Sequence, residues 1–235
     1  MNFPEYAGHG RGMPEAQSRG QFVKAAYSYL AVAVLAFTVL SFGLYASGAS
    51  FALLKVLGAS KYAWLAVMGA FMVVAWLATN AADNAESNRV QVLALGGYVL
   101  AEALIFAPLL AIASIVAPGA IEAAAIATLA LVAGLTFTAF TSKSDFSFLG
   151  GFLKIGGWVA LGIIVAGLLF GFQLGIWFSG AMILFAGACV LYDTAKIIRY
   201  YPANRPAGAA LHLFASVALL FWYVLRLIMQ LSSND

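Results

Sequence analysis

Residues 155–192 read IGGWVALGIIVAGLLFGFQLGIWFSGAMILFAGACVLY, and this stretch contains no charged side chain. A membrane-spanning helix needs about 20 predominantly apolar residues, so the stretch is too long for one span and long enough for two. The segment Gly171-Phe172-Gln173-Leu174-Gly175 lies near its middle, and glycines of this kind mark turns. The stretch therefore predicts two consecutive membrane helices, the second of which carries Asp193 and ends near Arg199.

Similar apolar runs, separated by short polar connections, occur along the rest of the chain. The seven predicted spans are residues 25–46, 62–82, 91–116, 122–141, 152–171, 175–199 and 207–231. Residues 1–23 are mostly polar and are predicted to form a flexible N-terminal tail. The expected fold is thus an all-α membrane protein, with a seven-transmembrane-helix bundle as a single membrane domain over residues 24–232.

The composition agrees with a membrane protein and excludes other classes. Hydrophobic residues make up 64% of the 235 residues and charged residues 9%, against roughly 45–50% and 25% in soluble domains. No cluster of Lys and Arg indicates nucleic-acid binding. The single cysteine, Cys189, fits no disulfide or metal spacing, and we interpret it as a small buried hydrophobic residue.

The placement of basic residues predicts the orientation. If the N-terminus is cytoplasmic, the outer connections hold only Lys55 and Lys61, and Arg226 lies within the last span. The inner segments then hold the other nine: Arg11, Arg19, Lys24, Arg89, Lys143, Lys154, Lys196, Arg199 and Arg205. Because Lys and Arg accumulate in cytoplasmic loops, we expect the N-terminus inside and the C-terminus outside.

Asp193 is the first of the polar residues that interrupt the apolar spans. A charge at the bilayer centre costs on the order of 2.5–3.5 kcal/mol by insertion scales, so each such residue needs a structural or functional explanation. At 1.5 Å per residue, Asp193 lies roughly 9 Å inside the inner end of its helix. On the next helix, His212 and Ser216 lie at about 8 and 14 Å from the same side. Asp193 is therefore expected to meet His212, Ser216 or both as a proton or ion site. The alternative is an interfacial carboxylate balanced by Lys196 or Arg199.

The other intramembrane polar residues leave similar alternatives open. Glu102, near the middle of the third span, is either a proton or cation site or a protonated acid hydrogen-bonded between helices. His212 alone would be a hydrogen-bonded packing residue, and its depth beside Asp193 is what makes it a candidate. Arg226 lies near the outer end of the last span, where its side chain can extend to the interface.

Several enzyme and cofactor classes lack the residues that they require. A retinal protein needs a lysine within the membrane for the Schiff base, and the last predicted span has none. Metal-dependent membrane enzymes need several histidines, whereas this chain has only His9 and His212. Phe178-Ser179-Gly180 is interpreted as small-residue packing rather than as a protease site. The sequence thus favours a protein that is not an enzyme, with no catalytic residue, metal or cofactor.

Four groups of residues resemble the Bax inhibitor-1/YccA family of seven-helix membrane proteins. The third group, a polar Lys-Ser-Asp turn that runs into Phe-Leu-Gly-Gly, is the most specific. The groups are Lys24-Ala25-Ala26-Tyr27; Ala101-Glu102-Ala103 with Pro108; Gly134-Leu135-Thr136 through Thr141 to Gly151; and Tyr192-Asp193-Thr194 followed by Ala210-Leu211-His212-Leu213-Phe214. Their order and spacing cover the chain from the first span to the last.

The resemblance implies a helical bundle around a central site. In the family, two aspartates on the sixth and seventh helices share a proton and act as a pH-dependent latch on a calcium leak. Asp193 matches the first position, Ser216 stands at the second, and Leu219 replaces an asparagine of the family. A serine cannot share an acidic proton, so the two-aspartate latch does not carry over intact.

With a serine at this position, the chain resembles a bacterial branch of the family that binds and restrains FtsH, a membrane-bound AAA protease. Two functions are therefore expected for a multi-pass protein of the bacterial inner membrane: a pH-sensitive calcium or cation leak, or an interaction protein in membrane quality control and the stress response. A small-solute permease ranks below both, because no inverted repeat is evident.

Overall fold

The computed structural model describes residues 15–232, and the side chains of all of these except residues 15–17 and 61. Most of the predicted tail, residues 1–14, lies outside the described part of the chain. The described residues form eight α-helices: α1 (Glu15–Ala46), α2 (Ala49–Gly58), α3 (Lys61–Asn84), α4 (Asn88–Val116), α5 (Ala120–Thr141), α6 (Leu149–Phe170), α7 (Ile176–Arg199) and α8 (Pro206–Ser232).

Seven of these helices are long and apolar enough to cross a membrane, which confirms the predicted fold class. The eighth, α2, has 10 residues and lies in the predicted connection between the first two spans. The largest difference in bounds is at α1, which begins at Glu15, so that residues 15–23 are helical rather than part of a flexible tail. Packing stabilises this N-terminal part of α1, because the side chain of Phe22 is buried.

The predicted turn inside the apolar stretch is present. Helix α6 ends at Phe170, and Gly171 adopts a left-handed conformation with φ of 76° while its N–H bonds to the carbonyl of Gly167. Glycine adopts this conformation without the steric penalty of a side chain, so it ends the helix cleanly. Helix α7 then begins at Ile176.

Helix α8 lies at the centre of the bundle. It packs against α1, α3, α4, α5 and α7. Its side chains Leu211, Leu220 and Leu225 are fully buried. By contrast, α6 contacts only α3 and α7 among the described helices. Large apolar side chains on the outside of the bundle, such as Trp177 and Leu184, are exposed, as a lipid-facing surface requires.

The helices define two ends of the bundle. At the end that we call proximal, the first turns of α1 and α8 meet the last turns of α3 and α7. Leu174, between α6 and α7, meets the last turns of α8 at the opposite, distal end. The predicted orientation places the proximal end in the cytoplasm.

Candidate functional site

Asp193 and Ser216 meet between α7 and α8. The short segment between these helices makes them antiparallel neighbours, and Ser216 Oγ donates a hydrogen bond of 2.5 Å to Asp193 Oδ2. Ser216 is 7% exposed. A hydroxyl that donates to a carboxylate forms a short, charge-assisted hydrogen bond. Of the two expected partners of Asp193, Ser216 therefore forms the hydrogen bond and His212 does not.

His212 takes a different partner, Asp83 at the end of α3. His212 Nε2 lies 2.8 Å from Asp83 Oδ1, and the hydroxyl of Tyr201 donates to the same oxygen at 2.7 Å. Burial, with the hydrogen bond to Asp83 adding to it, raises the pKa of Tyr201 above its usual range, so this phenol stays a donor. Asp83, Tyr201 and His212 form a second polar contact, which we call the proximal triad.

Asp83 and Tyr201 were missed by sequence analysis. Asp83 was interpreted as the start of a polar connection after the second predicted span, and Tyr201 as part of a loop. One signal could have found the aspartate: α3 runs toward the end at which α8 begins, so that Asp83 and His212 lie at similar depth. Depth alone does not say which helices are neighbours, and several acids share this level.

Gly208 permits the close approach that the proximal triad needs. A Cβ added at Gly208 would lie 2.9 Å from the carbonyl oxygen of Ala82 and 3.0 Å from the hydroxyl of Tyr201. Both distances are shorter than ordinary van der Waals contact. The missing side chain thus lets the first turn of α8 lie directly against the last turn of α3.

Arg19 connects α1 to the same end of the bundle. Its Nε donates to the carbonyl of Ile198 at 3.0 Å, and its Nη1 donates to the carbonyl of Tyr201 at 2.5 Å. The ring of Phe22 stacks on that of Tyr201 with centroids 6.3 Å apart. Since carbonyls at a helix C-terminus lack helical partners, a guanidinium is a favourable cap there.

Two cations were considered as partners of Asp193. Arg199 instead donates to the carbonyls of Ser142 and Ser144, each at 2.7 Å, and so holds the Lys-Ser-Asp turn against the end of α7. Lys196 lies near enough to act electrostatically on both Asp193 and Asp83, and its Nζ lies 5.4 Å from the centroid of the Tyr201 ring. Among residues 15–232, Asp193 therefore forms a hydrogen bond with Ser216 rather than an ion pair.

The Lys-Ser-Asp turn has a local structural basis. Asp145 Oδ1 accepts a hydrogen bond of 2.9 Å from the backbone N–H of Ser147, just before α6 begins. This bond to the backbone lowers the pKa of Asp145, which keeps the carboxylate charged. This bond orders the residues just before α6, whose own N-cap position, Phe148, has no side-chain cap.

Glu102 lies away from Asp193, in a cavity of about 750 Å³ bounded by α3, α4, α6 and α8. Its side chain is 6% exposed, and Tyr98, one turn earlier on α4, interacts with its carboxyl group. Ser216 also lines this cavity. The cavity therefore reaches from Glu102 to the hydroxyl that holds Asp193.

Arg226 and Gln230 line the distal part of the cavity. Both donate to the carbonyl of Leu174, Arg226 through Nη2 at 3.0 Å and Gln230 through Nε2 at 2.9 Å. Ser179 on α7 donates to Gln230 Oε1 at 2.7 Å. These bonds attach the turn between α6 and α7 to the end of α8.

The acids of the site do not form a preformed metal centre. Within residues 15–232, no three His, Cys, Asp or Glu side chains come together as a group that could hold an ion. Cys189 is partly buried and free. The arrangement is a mostly apolar cavity that contains Glu102, with the Ser216–Asp193 contact and the proximal triad toward the proximal end.

The fold and these contacts define the class: a multi-pass helical membrane protein with ionisable groups inside its bundle. A family model described as "Inhibitor of apoptosis-promoting Bax1" matches residues 19–234. The chain belongs to this family, as its resemblance to the Bax inhibitor-1/YccA proteins predicted. A search of curated proteins found no match.

Proposed function

We propose that this protein is a pH-sensitive leak for calcium or other cations in the bacterial inner membrane, and that it catalyses no reaction. The observation that carries the proposal is the Ser216–Asp193 bond, because Ser216 also lines the cavity that contains Glu102. An acid in this position is functional by default in a membrane protein, since burying it without purpose is costly.

The proximal end acts as the closed gate in this proposal. A cation that enters the cavity from the distal side passes Arg226 and Gln230 and then meets Glu102 and Ser216. Beyond them it meets helices held together by two contacts, Ser216–Asp193 and the proximal triad. Passage requires α8 to separate from α7 and α3, so the strength of these two contacts sets the leak.

Protonation acts on the two contacts in opposite directions. A proton on Asp193 removes the charge that strengthens its bond with Ser216, which loosens α7 from α8. A proton on His212 converts its bond with Asp83 into an ion pair, which tightens α8 against α3. Lys196 faces both carboxylates, His212 also faces Asp193, and the phenol of Tyr201 donates to Asp83. The contact that breaks first determines how the leak depends on pH.

Calcium flux in proteoliposomes tests the proposal. We expect Asp193→Asn and Glu102→Gln to change the rate of calcium release, because each removes a charge on the path. Glu122→Gln is the matched control, since Glu122 lines a separate cavity between α1, α4, α5 and α8. No calcium release above that of protein-free liposomes, at any pH, would refute the leak.

A second function, restraint of a membrane-bound AAA protease such as FtsH, is supported by the contacts of Arg19. These contacts link the first turns of α1 to Tyr201 and so to the proximal triad. A partner that holds the N-terminal segment could thus act on the gate. Deleting residues 2–14, which spares Arg19, should abolish co-purification with the protease; unchanged co-purification would show that the segment is not the binding element.

A further inference from the structure

The cavity that contains Glu102 has an aromatic lining that a path for small hydrated ions does not require. Side chains from α3, α4 and α8 contribute aromatic rings to it, namely Trp64, Phe71, Tyr98, Phe106, Trp222 and Tyr223. A volume of about 750 Å³ is that of a site for a drug-sized molecule. Residues of both α6 and α8 line the cavity, so it lies between these two helices.

The charges in this cavity are separated along the bundle. Glu102 and Arg226 are the charged side chains among its described lining residues. Counted at 1.5 Å per residue along α4 and α8, Arg226 lies roughly 9 Å nearer the distal end. Arg226 is also held at the carbonyl of Leu174. The inner part of the cavity therefore combines one carboxyl group with several aromatic rings.

This combination selects one ligand chemistry. Aromatic faces attract organic cations, and a carboxylate in a site without bulk water supplies the opposite charge. A single carboxylate is too few ligands for a divalent metal, which needs several oxygens. We propose that the cavity binds a hydrophobic organic cation, such as a quaternary ammonium or phosphonium ion, with Glu102 as its counter-charge. This inference is independent of the leak.

Binding of tetraphenylphosphonium to the purified full-length protein tests the site. Equilibrium dialysis in a non-ionic detergent at pH 8, with empty micelles subtracted, gives the dissociation constant without any calcium gradient. Glu102→Gln should raise this constant about tenfold or more, because it removes the one negative charge among the described lining residues. Arg226→Gln should lower the constant a few-fold, since it removes a like charge and keeps a donor for Leu174.

Three comparisons separate this site from general apolar binding. Glu122→Gln removes the same charge from the other cavity, of about 610 Å³, and should leave the constant unchanged. Trp64→Leu should weaken binding a few-fold, whereas Trp76→Leu, an exposed residue on the same helix, should not. Triphenylphosphine oxide, a neutral relative of the probe, should bind much more weakly to the wild type.

The result that overturns the inference is equal binding of tetraphenylphosphonium to the wild type and to Glu102→Gln while both remain folded by thermal denaturation. If Glu102→Gln does not fold, the Trp64→Leu and Arg226→Gln results decide, and no change in either refutes the site. Asp193→Asn should leave binding intact, so a failed leak and a failed ligand site give different results.

Discussion

At the scale of single residues, Ser216 donates the one hydrogen bond that reaches Asp193 from the described residues. Ser216→Ala removes this donor and leaves a carboxylate without a partner. The free energy of unfolding should fall by about 1–3 kcal/mol, the cost of an unsatisfied buried polar group. Thermal denaturation in detergent measures the change. Ser216→Thr keeps the hydroxyl and is expected to retain most of the stability. An equal loss of unfolding free energy in both variants would show that the hydrogen bond does not account for it.

Gly208 supports a second residue-level prediction. In Gly208→Ala, the new Cβ would lie 2.9 Å from the carbonyl oxygen of Ala82, so α8 must shift away from α3. Overpacking of this kind destabilises by about 1–3 kcal/mol. The same shift should lengthen the His212–Asp83 contact, which the chemical shifts of the His212 ring would report.

Gly180→Ala is the control for this prediction. A Cβ added at Gly180, within α7, meets nothing within 4 Å. Alanine is also the better helix former by about 1 kcal/mol, so this variant should not be destabilised. Equal stability of Gly208→Ala and the wild type would mean that α3 and α8 are not held as closely as described.

Single residues also show what sequence analysis can and cannot find. The pairing of Asp193 with Ser216 was predictable, because both helices are joined by a short loop and a residue count gives the depth of each side chain. The pairing of His212 with Asp83 was not, because it depends on α3 being a neighbour of α8. A count along a helix gives a level in the membrane but no direction around the helix axis.

At the scale of helices, Arg19 connects the start of α1 to the end of α7. Arg19→Ala removes two hydrogen bonds to the carbonyls of Ile198 and Tyr201. Amide hydrogens in residues 198–206 should then exchange faster with solvent, because the segment between α7 and α8 loses a support. Hydrogen exchange followed by mass spectrometry measures this, with Lys24→Ala, an exposed residue on α1, as control. Exchange that is unchanged in Arg19→Ala would show that the segment is held by other contacts.

The helices differ in how well the sequence predicts them. The turn at Gly171 was found because glycines interrupt an apolar run that is too long for one span. The short helix α2 was missed because its apolar residues continue the charge-free run of α1. The start of α1 was placed too late, because polar residues before Lys24 resemble a tail. Their helical structure depends on tertiary contacts of Arg19 and Phe22 rather than on hydropathy.

At the scale of the whole molecule, the orientation in the bilayer is open to a direct test. The basic residues predict a cytoplasmic proximal end. In a Cys189→Ser background, Asn204→Cys introduces a thiol in the exposed loop between α7 and α8, and Ala59→Cys introduces one between α2 and α3. An impermeant maleimide added to intact cells should label only the Ala59→Cys protein. Labelling of only the Asn204→Cys protein would reverse the orientation.

The central position of α8 connects the proximal contacts, which we propose form a gate, to the cavity. It carries His212 and Ser216 at the proximal end, and Arg226 and Gln230 line the cavity at the other. Since α8 packs against five other helices, a shift of its first turns also changes its packing against the rest of the bundle. The aromatic cavity and the proximal contacts are thus parts of one unit built around this helix.

The pH dependence of calcium release from proteoliposomes, compared between the wild type and Asp193→Asn, tests the gate most directly. We predict that the wild-type rate changes with pH, because a proton on Asp193 would weaken its hydrogen bond with Ser216. Asp193→Asn should alter the shape of that profile, while the exposed control Asp145→Asn should not. Superimposable profiles of the wild type and Asp193→Asn would contradict the account, because Asp193 would then have no part in the gate.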